Sequence, residues 1–108
     1  FGCGGNRDQY KRFKMGYIAD KFANKVYITD DNPRLEDPSL IRKQILSKCK
    51  KGYEISNRKN AIFSAIKDLK KNEILIIAGK GHEKNQINKF SIKKFDDVAI
   101  AKLAIKNK

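Results

Sequence analysis

Histidine, cysteine and tryptophan are scarce in this sequence, and the scarcity excludes several kinds of site. The 108 residues contain one histidine, two cysteines and no tryptophan. With His82 as the only histidine, a cluster of histidine metal ligands is excluded, and no serine or cysteine is visibly arranged as a nucleophile. Cys3 and Cys49 lie far apart without other metal-ligating residues at suitable spacing, which argues against a disulfide framework and favours a reducing cytoplasm.

Long apolar runs are also missing. The most hydrophobic stretch, residues 73–78, is far shorter than the ~20 residues of a membrane-spanning helix, and no secretory signal pattern is present. We therefore expect no membrane partner. The sequence starts at Phe1 and enters a Gly-Cys-Gly-Gly run at once, which suggests a cut at a strand-to-loop junction. We expect residues 1–108 to be one domain of a longer protein.

Positive charge, in contrast, is abundant. Lysine and arginine number 25 against 12 acidic residues, which gives a formal net charge of +13. The basic residues are mostly lysines spread along the chain, and aromatic residues are not interleaved with them in a base-stacking pattern. This distribution favours a solvated lysine-rich surface, with attraction to phosphate-bearing partners as a secondary effect. A basic nucleic-acid-binding module stays open as an alternative, and it would bind DNA or RNA with a steep salt dependence.

Short β-branched runs alternate with segments of helical spacing, which predicts a parallel, layered α/β domain. The run at 73–78 lacks polar alternation, as expected of a central parallel strand covered on both faces. The predicted strands are 25–29, 53–56, 73–78 and an irregular one at 86–93, and the predicted helices are one that follows the loop at 1–8 and others at 38–50, 58–71 and 98–106.

Three polar loops adjoin the predicted strands: residues 1–8, 30–34 and 79–83. In open α/β sheets ligands bind at the carboxyl ends of the strands, so we expect these loops to meet at one edge. Arg7 and Arg34 would then serve as cations for ligand carboxylates, and Asp31 and Glu83 as anions for a ligand ammonium group. Neither glycine-rich loop has the spacing of an ATP-phosphate cradle, so ATP chemistry would need another domain.

Each loop also has a plainer interpretation. Residues 30–34 could form an Asx-Pro turn with a solvated arginine. His82, beside two glycines, is more typical of a structural hydrogen bond than of a general base. Cys3, near a predicted helix start, could have a lowered pKa, although no partner base is identifiable.

Taken together, the motifs resemble those of the C-terminal domain of the Mur ligases, in particular the UDP-N-acetylmuramoyl-tripeptide synthetases, which add the third residue of the peptidoglycan stem peptide. The resemblance runs nearly from end to end. It is carried by Phe1-Gly-Cys-Gly-Gly-Asn-Arg-Asp8, Lys11-Arg12, Met15-Gly16, Thr29-Asp-Asp-Asn-Pro-Arg34, Glu36-Asp37-Pro38, Arg58 with Ala61-Ile62, and Ala78-Gly-Lys-Gly-His-Glu83 with Gln86.

The resemblance implies a bacterial, cytoplasmic, ATP-dependent ligase of cell-wall biogenesis, which also bears on cell shape and division. Such enzymes join an amino acid to UDP-N-acetylmuramoyl-L-alanyl-D-glutamate through an acyl phosphate. ATP and Mg²⁺ are held mainly by a central domain, and the uridine nucleotide mostly by a first domain. The C-terminal domain is expected to be Rossmann-like, with a mostly parallel sheet, one antiparallel edge strand and helices on both faces. By itself it is expected to be inactive, with no catalytic residue, no metal ligand and no specific nucleic-acid partner.

The resemblance also implies site residues. Members that add meso-diaminopimelate carry an Asp-Asn-Pro-Arg motif that recognises this amino acid, and Asp31, Asn32, Pro33 and Arg34 match it. The family's further contacts to the amino acid fall on Arg7, Gly79 and Glu83, and the positions expected near the nucleotide are Asp8, Lys11 and Arg12. Some lysine-adding relatives keep the arginine, so a lysine-adding or folylpolyglutamate-synthetase-like ligase domain stays an alternative.

Overall fold

Four helices and four short strands make up the computed structural model, which describes all residues from Phe1 to Lys108. The predicted α/β class is confirmed. In chain order the elements are α1 (Tyr10–Phe22), β1 (Val26–Ile28), α2 (Pro38–Leu46), β2 (Gly52–Glu54), α3 (Arg58–Asp68), β3 (Asn85–Ile87), β4 (Ile92–Lys94) and α4 (Asp97–Lys106). None of the helices is both long and apolar enough to cross a bilayer.

Side-chain caps define where three of the helices begin. Asp37 accepts a hydrogen bond from the backbone N–H of Ser39 at the start of α2, where proline occupies the first turn. Asn57 caps α3 by accepting from the backbone N–H of Asn60. Asp96 caps α4 by accepting from the backbone N–H groups of Val98 and Ala99. The predicted starts are therefore accurate, whereas α2 and α3 end a few residues earlier than predicted, at Leu46 and Asp68.

The strands form two separate two-stranded sheets. β1 and β2 pair in parallel, as predicted, with Tyr27 opposite Tyr53. The single irregular strand predicted at 86–93 is wrong, because β3 and β4 form an antiparallel hairpin there. Asn88 makes the turn, since its Oδ1 accepts from the backbone N–H groups of Phe90 and Ser91.

Residues 73–78 are not assigned as a strand, so the central strand predicted there is not observed. Burial nevertheless alternates, because Leu75 and Ile77 are partly buried against α3 and α4 while Ile74 and Ile76 are 90% and 80% exposed. No backbone hydrogen bond joins residues 74–78 to any other backbone group. The hydrophobic pattern of a strand is thus present without a neighbouring strand to complete a ladder.

Apolar side chains pack into two clusters, one under each pair of helices. Val26 and Ile28 of β1 pack with Ile41 and Ile45 of α2 and with Cys49. The second cluster joins α3 to α4 through Ile62, Ile66 and Ala104. The first helix pair therefore covers β1 and the second covers the run at residues 73–78.

A buried ion pair between α3 and α4 also binds the ends of two other chain segments. The Arg58 guanidinium donates through Nε and Nη2 to the two carboxylate oxygens of Asp97, both at 2.7 Å, and both side chains are buried. Its remaining hydrogen bonds go to the carbonyl oxygens of Asp30 and Ala78, each at 3.2 Å. One side chain thus holds α3, α4, the end of β1 and the end of the 73–78 run.

We predict that Arg58→Met lowers the free energy of unfolding by about 3–5 kcal/mol, because it leaves the Asp97 carboxylate buried without a partner. Urea unfolding followed by circular dichroism measures this loss. The double variant Arg58→Met/Asp97→Val should lose less than Arg58→Met alone, since no unpaired charge remains. Lys25→Met, which removes an exposed ion pair with Asp68, is the control and should change stability little. Equal losses in the single variant and the control would contradict the prediction.

Candidate functional site

The glycine-rich loop packs directly against the loop that follows β1. The backbone N–H of Gly5 donates to the carbonyl oxygen of Asn32 at 2.7 Å. A Cβ atom at Gly5 would lie 1.8 Å from the carbonyl oxygen of Pro33, so only glycine permits this approach. The sequence places glycines here because two backbone segments are in contact.

Arg34 adopts a left-handed conformation with φ of 53°, which is uncommon for a residue other than glycine. Its Nη1 donates to the carbonyl oxygen of Gly5 at 3.0 Å. A Cβ at Gly4 would lie 2.8 Å from this same Nη1 and 3.5 Å from Cγ of Arg7. The side chains of Arg7 and Arg34 therefore both lie against Gly4, although they are 27 residues apart in the sequence.

The third loop, which follows the 73–78 run, reaches the same place. Nδ2 of Asn32 lies 3.4 Å from Oε2 of Glu83. Gly79, with φ of 113°, passes so close to Asp31 that a Cβ there would lie 2.9 Å from its Oδ2. Gln86 adds a hydrogen bond from Nε2 to the carbonyl oxygen of Asp31 at 3.0 Å. The three loops that the sequence predicts to converge do converge in the structure.

Burial divides the residues of this site into a floor and a rim. Asp31 and Asn32 form the floor and are only 8% and 3% exposed, and Pro33 beside them is also buried. Arg7 and Glu83 are exposed, and Arg34 is half-buried. A ligand on this surface would therefore meet two guanidinium groups on one side and a carboxylate on the other.

Sequence reasoning missed Lys80, which is buried in the floor. Its side chain is fully enclosed, and its Nζ lies 3.2 Å from Oδ1 of Asp31. The Asp31 carboxylate, expected to meet a ligand ammonium group, thus already has a cationic partner within the protein. Flanking glycines gave the only signal in the sequence, because they allow the backbone turn that directs this lysine inward.

Asp30, adjacent in sequence, faces the other way. Its Oδ1 accepts from Nη1 of Arg42 in α2, which forms a second ion pair with Glu54. Burial raises the pKa of Asp30, while Arg42 acts in the opposite direction. This carboxylate holds the end of β1 to α2 rather than contributing to the rim.

Two of the positions expected near a nucleotide remain accessible, and the third does not. Lys11 is exposed, and exposed Asp8 accepts from the backbone N–H of Tyr10 at the start of α1. Arg12 is 2% exposed, is ion-paired with Glu36, and donates to Oε1 of Gln44 at 2.8 Å and to the carbonyl oxygen of Gly4 at 3.0 Å. Arg12 fastens the glycine-rich loop, so its assignment to a nucleotide contact is not supported.

The reactive residues considered from the sequence are placed differently from expectation. His82 is exposed and forms no hydrogen bond, so the expected structural hydrogen bond is wrong. Burial raises the pKa of the Cys3 thiol, and the nearby Arg12 only partly offsets this, so a lowered pKa is also wrong. No group of three or more His, Cys, Asp or Glu residues is placed to hold a metal ion.

Comparison with known proteins gives concordant matches. The family model described as "Mur ligase, glutamate ligase domain" matches residues 1–81. The UDP-N-acetylmuramoyl-L-alanyl-D-glutamate--2,6-diaminopimelate ligase of Rickettsia rickettsii is 52% identical over 108 residues, covering 98% of this chain and 22% of that protein. The protein of the same name from Zymomonas mobilis subsp. mobilis is 50% identical over 109 residues, covering 97% and 22%.

A solved structure agrees with the sequence matches. It is described as a UDP-N-acetylmuramoyl-L-alanyl-D-glutamate--2,6-diaminopimelate ligase, and it superposes with a TM-score of 0.91 at 39% sequence identity. The superposition covers 99% of this chain and 23% of that one. The chain therefore spans about a fifth of the length of the curated relatives it matches.

The raised thiol pKa predicts slow alkylation of Cys3. In a Cys49→Ser variant, iodoacetamide should modify Cys3 more slowly in the folded protein than in urea at neutral pH, because the folded protein holds less thiolate. The folded rate should still be rising at a pH where the rate in urea has levelled off. Faster modification of the folded protein at neutral pH would contradict the prediction.

Proposed function

This chain belongs to the family of Mur ligase C-terminal domains, the glutamate ligase domain, and on that premise we propose that it holds the incoming amino acid of an ATP-dependent amide-bond ligase. The reaction would add meso-diaminopimelate to UDP-N-acetylmuramoyl-L-alanyl-D-glutamate during peptidoglycan synthesis in the bacterial cytoplasm. The names of the relatives that match nearly the whole chain support this assignment.

The convergence of three loops is the observation that carries the proposal. meso-Diaminopimelate has two carboxylates and two ammonium groups, so its recognition needs cationic and anionic partners on one surface. Arg7 and Arg34 lie against the glycine-rich loop, and Glu83 lies beside Asn32 at the other side of the same floor. Planar guanidinium groups suit carboxylates, because they donate two parallel hydrogen bonds.

This domain would contribute positioning rather than bond-making chemistry. ATP and Mg²⁺, which we propose to be held mainly by a central domain of the ligase outside this chain, would supply the activation of the substrate carboxylate. The rim residues would hold the amino acid with its attacking amine oriented towards the activated carboxylate. Such orientation converts a bimolecular encounter into an effectively intramolecular step. Asp8 and Lys11, both exposed, are the positions we propose to approach the nucleotide when the domain closes.

We also propose a Rossmann-like arrangement for this domain within the ligase. Phe1 bonds to β1 with the pattern of a parallel bridge, because its N–H group donates to the carbonyl oxygen of Tyr27 and its own carbonyl accepts from Thr29. Gly2 then lies between Thr29 and Gly79. A parallel strand that includes Phe1 in this register would lie between β1 and residues 74–78 and would join them in one sheet.

The central test is Arg34→Ala in the full-length ligase. Losing a charged hydrogen-bonding partner costs about 2–4 kcal/mol, so we expect kcat/KM for meso-diaminopimelate to fall by a factor of ~30 to ~1000, mainly through KM. The KM values for ATP and for the UDP-linked dipeptide should stay near those of the wild type. An unchanged KM for meso-diaminopimelate would reject the proposed role.

Lys106→Ala is a suitable control, because Lys106 is an exposed cation in the last turn of α4, at the opposite end of that helix from Asp97. L-Lysine serves as the second substrate, since it lacks the distal carboxylate of meso-diaminopimelate. A wild-type preference for L-lysine would assign the domain to a lysine-adding ligase instead.

A further inference from the structure

Lys80 is the most completely buried charged side chain near the rim. Its Nζ is 2.7 Å from Oδ1 of Asn32, 2.7 Å from the carbonyl oxygen of Asn85 and 3.2 Å from Oδ1 of Asp31. An ammonium group has three donors, so all of them have partners. With its side chain 0% exposed, Lys80 has no donor left for a ligand.

These contacts determine which way the Asn32 amide faces. Its Oδ1 accepts from Lys80 and also from the backbone N–H of Ile87 at 2.9 Å. Only the oxygen of an amide can accept these two bonds, so Nδ2 must face the opposite direction. There it lies 3.4 Å from Oε2 of Glu83, on the side of the rim.

We propose that Lys80 is a positioning residue for amino-acid recognition: it locks the Asn32 amide so that Nδ2 is presented to the rim beside Glu83. The ligand class is an amino acid with a free carboxylate, and this identification rests on the proposed function. Lys80 itself does not touch the ligand. The Asp31 carboxylate, held by the same ammonium, neutralises the buried charge that this arrangement requires.

The glycines on either side explain how a lysine reaches this position. Gly79 and Gly81 both have positive φ, of 113° and 57°. The resulting turn lets Lys80 enter the floor while Glu83, three residues later, remains exposed and donates its backbone N–H to the Lys80 carbonyl at 2.9 Å. The same short loop therefore carries both a floor residue and a rim residue.

The test is a double-mutant cycle in the full-length ligase with Lys80→Met and Asn32→Ala, measured as KM for meso-diaminopimelate. Lys80→Met alone should raise this KM by about tenfold or more, with KM for ATP unchanged, because the lost bond is to a charged donor. In the Asn32→Ala background the same change should raise it far less, since Lys80 acts through Asn32. Additive effects, or an unchanged KM, would overturn the positioning role.

Lys84→Met is the matched control, because Lys84 lies next to the same loop with its side chain 75% exposed. It should leave KM unchanged. If Lys80→Met fails to fold, Asn32→Asp tests the same point: it keeps an acceptor for Lys80 but replaces the outward N–H donors by an oxygen. A raised KM for meso-diaminopimelate in this variant supports the proposal, and an unchanged one overturns it.

The outcomes also separate this inference from the proposed function. If Arg34→Ala raises KM for meso-diaminopimelate and Lys80→Met does not, the domain still binds the amino acid and only the role of Lys80 is rejected. If the wild-type ligase uses neither meso-diaminopimelate nor L-lysine, both the proposed function and the role of Lys80 are rejected.

Discussion

The bidentate pair between Arg58 and Asp97 is the interaction on which the rest of the structure depends. It is the only side-chain contact that holds both helices α3 and α4 and the ends of two chain segments, through the carbonyl oxygens of Asp30 and Ala78. Asp30 is the first residue of the second loop of the site, and Ala78 immediately precedes the third. The separation of Asp31 from Gly79 is therefore set by a guanidinium group buried behind them, and the recognition surface is a consequence of that spacing.

Local chemistry made much of this fold predictable from the sequence. Asp37, Asn57 and Asp96 are strong helix caps followed by apolar residues at helical spacing, so the helix starts are correct. Convergence of the loops followed from the rule that ligands meet the carboxyl ends of parallel strands. Neither inference needed knowledge of tertiary contacts.

Other features depended on contacts that no local pattern encodes. Lys80 looked like one of 25 basic residues, and only the three acceptors that surround it reveal its burial. Arg12 looked available for a phosphate, yet Glu36 and Gln44 from other segments enclose it. The residues at 73–78 have the composition of a central strand. A strand also requires a hydrogen-bonded neighbour, and composition does not show whether one is present. For the same reason, the sequence alone does not distinguish buried basic residues from those at the rim.

The unpaired run at residues 74–78 has a consequence for how the isolated domain would behave in solution. Residues 74–77 form no hydrogen bond with another backbone group, and two exposed isoleucines lie among them, which is the arrangement that templates edge-to-edge association of sheets. Charge opposes this: with a net charge of +13, two copies repel one another at low ionic strength. Added salt screens that repulsion, while the edge at these residues stays exposed. Self-association of the isolated domain should therefore depend on ionic strength.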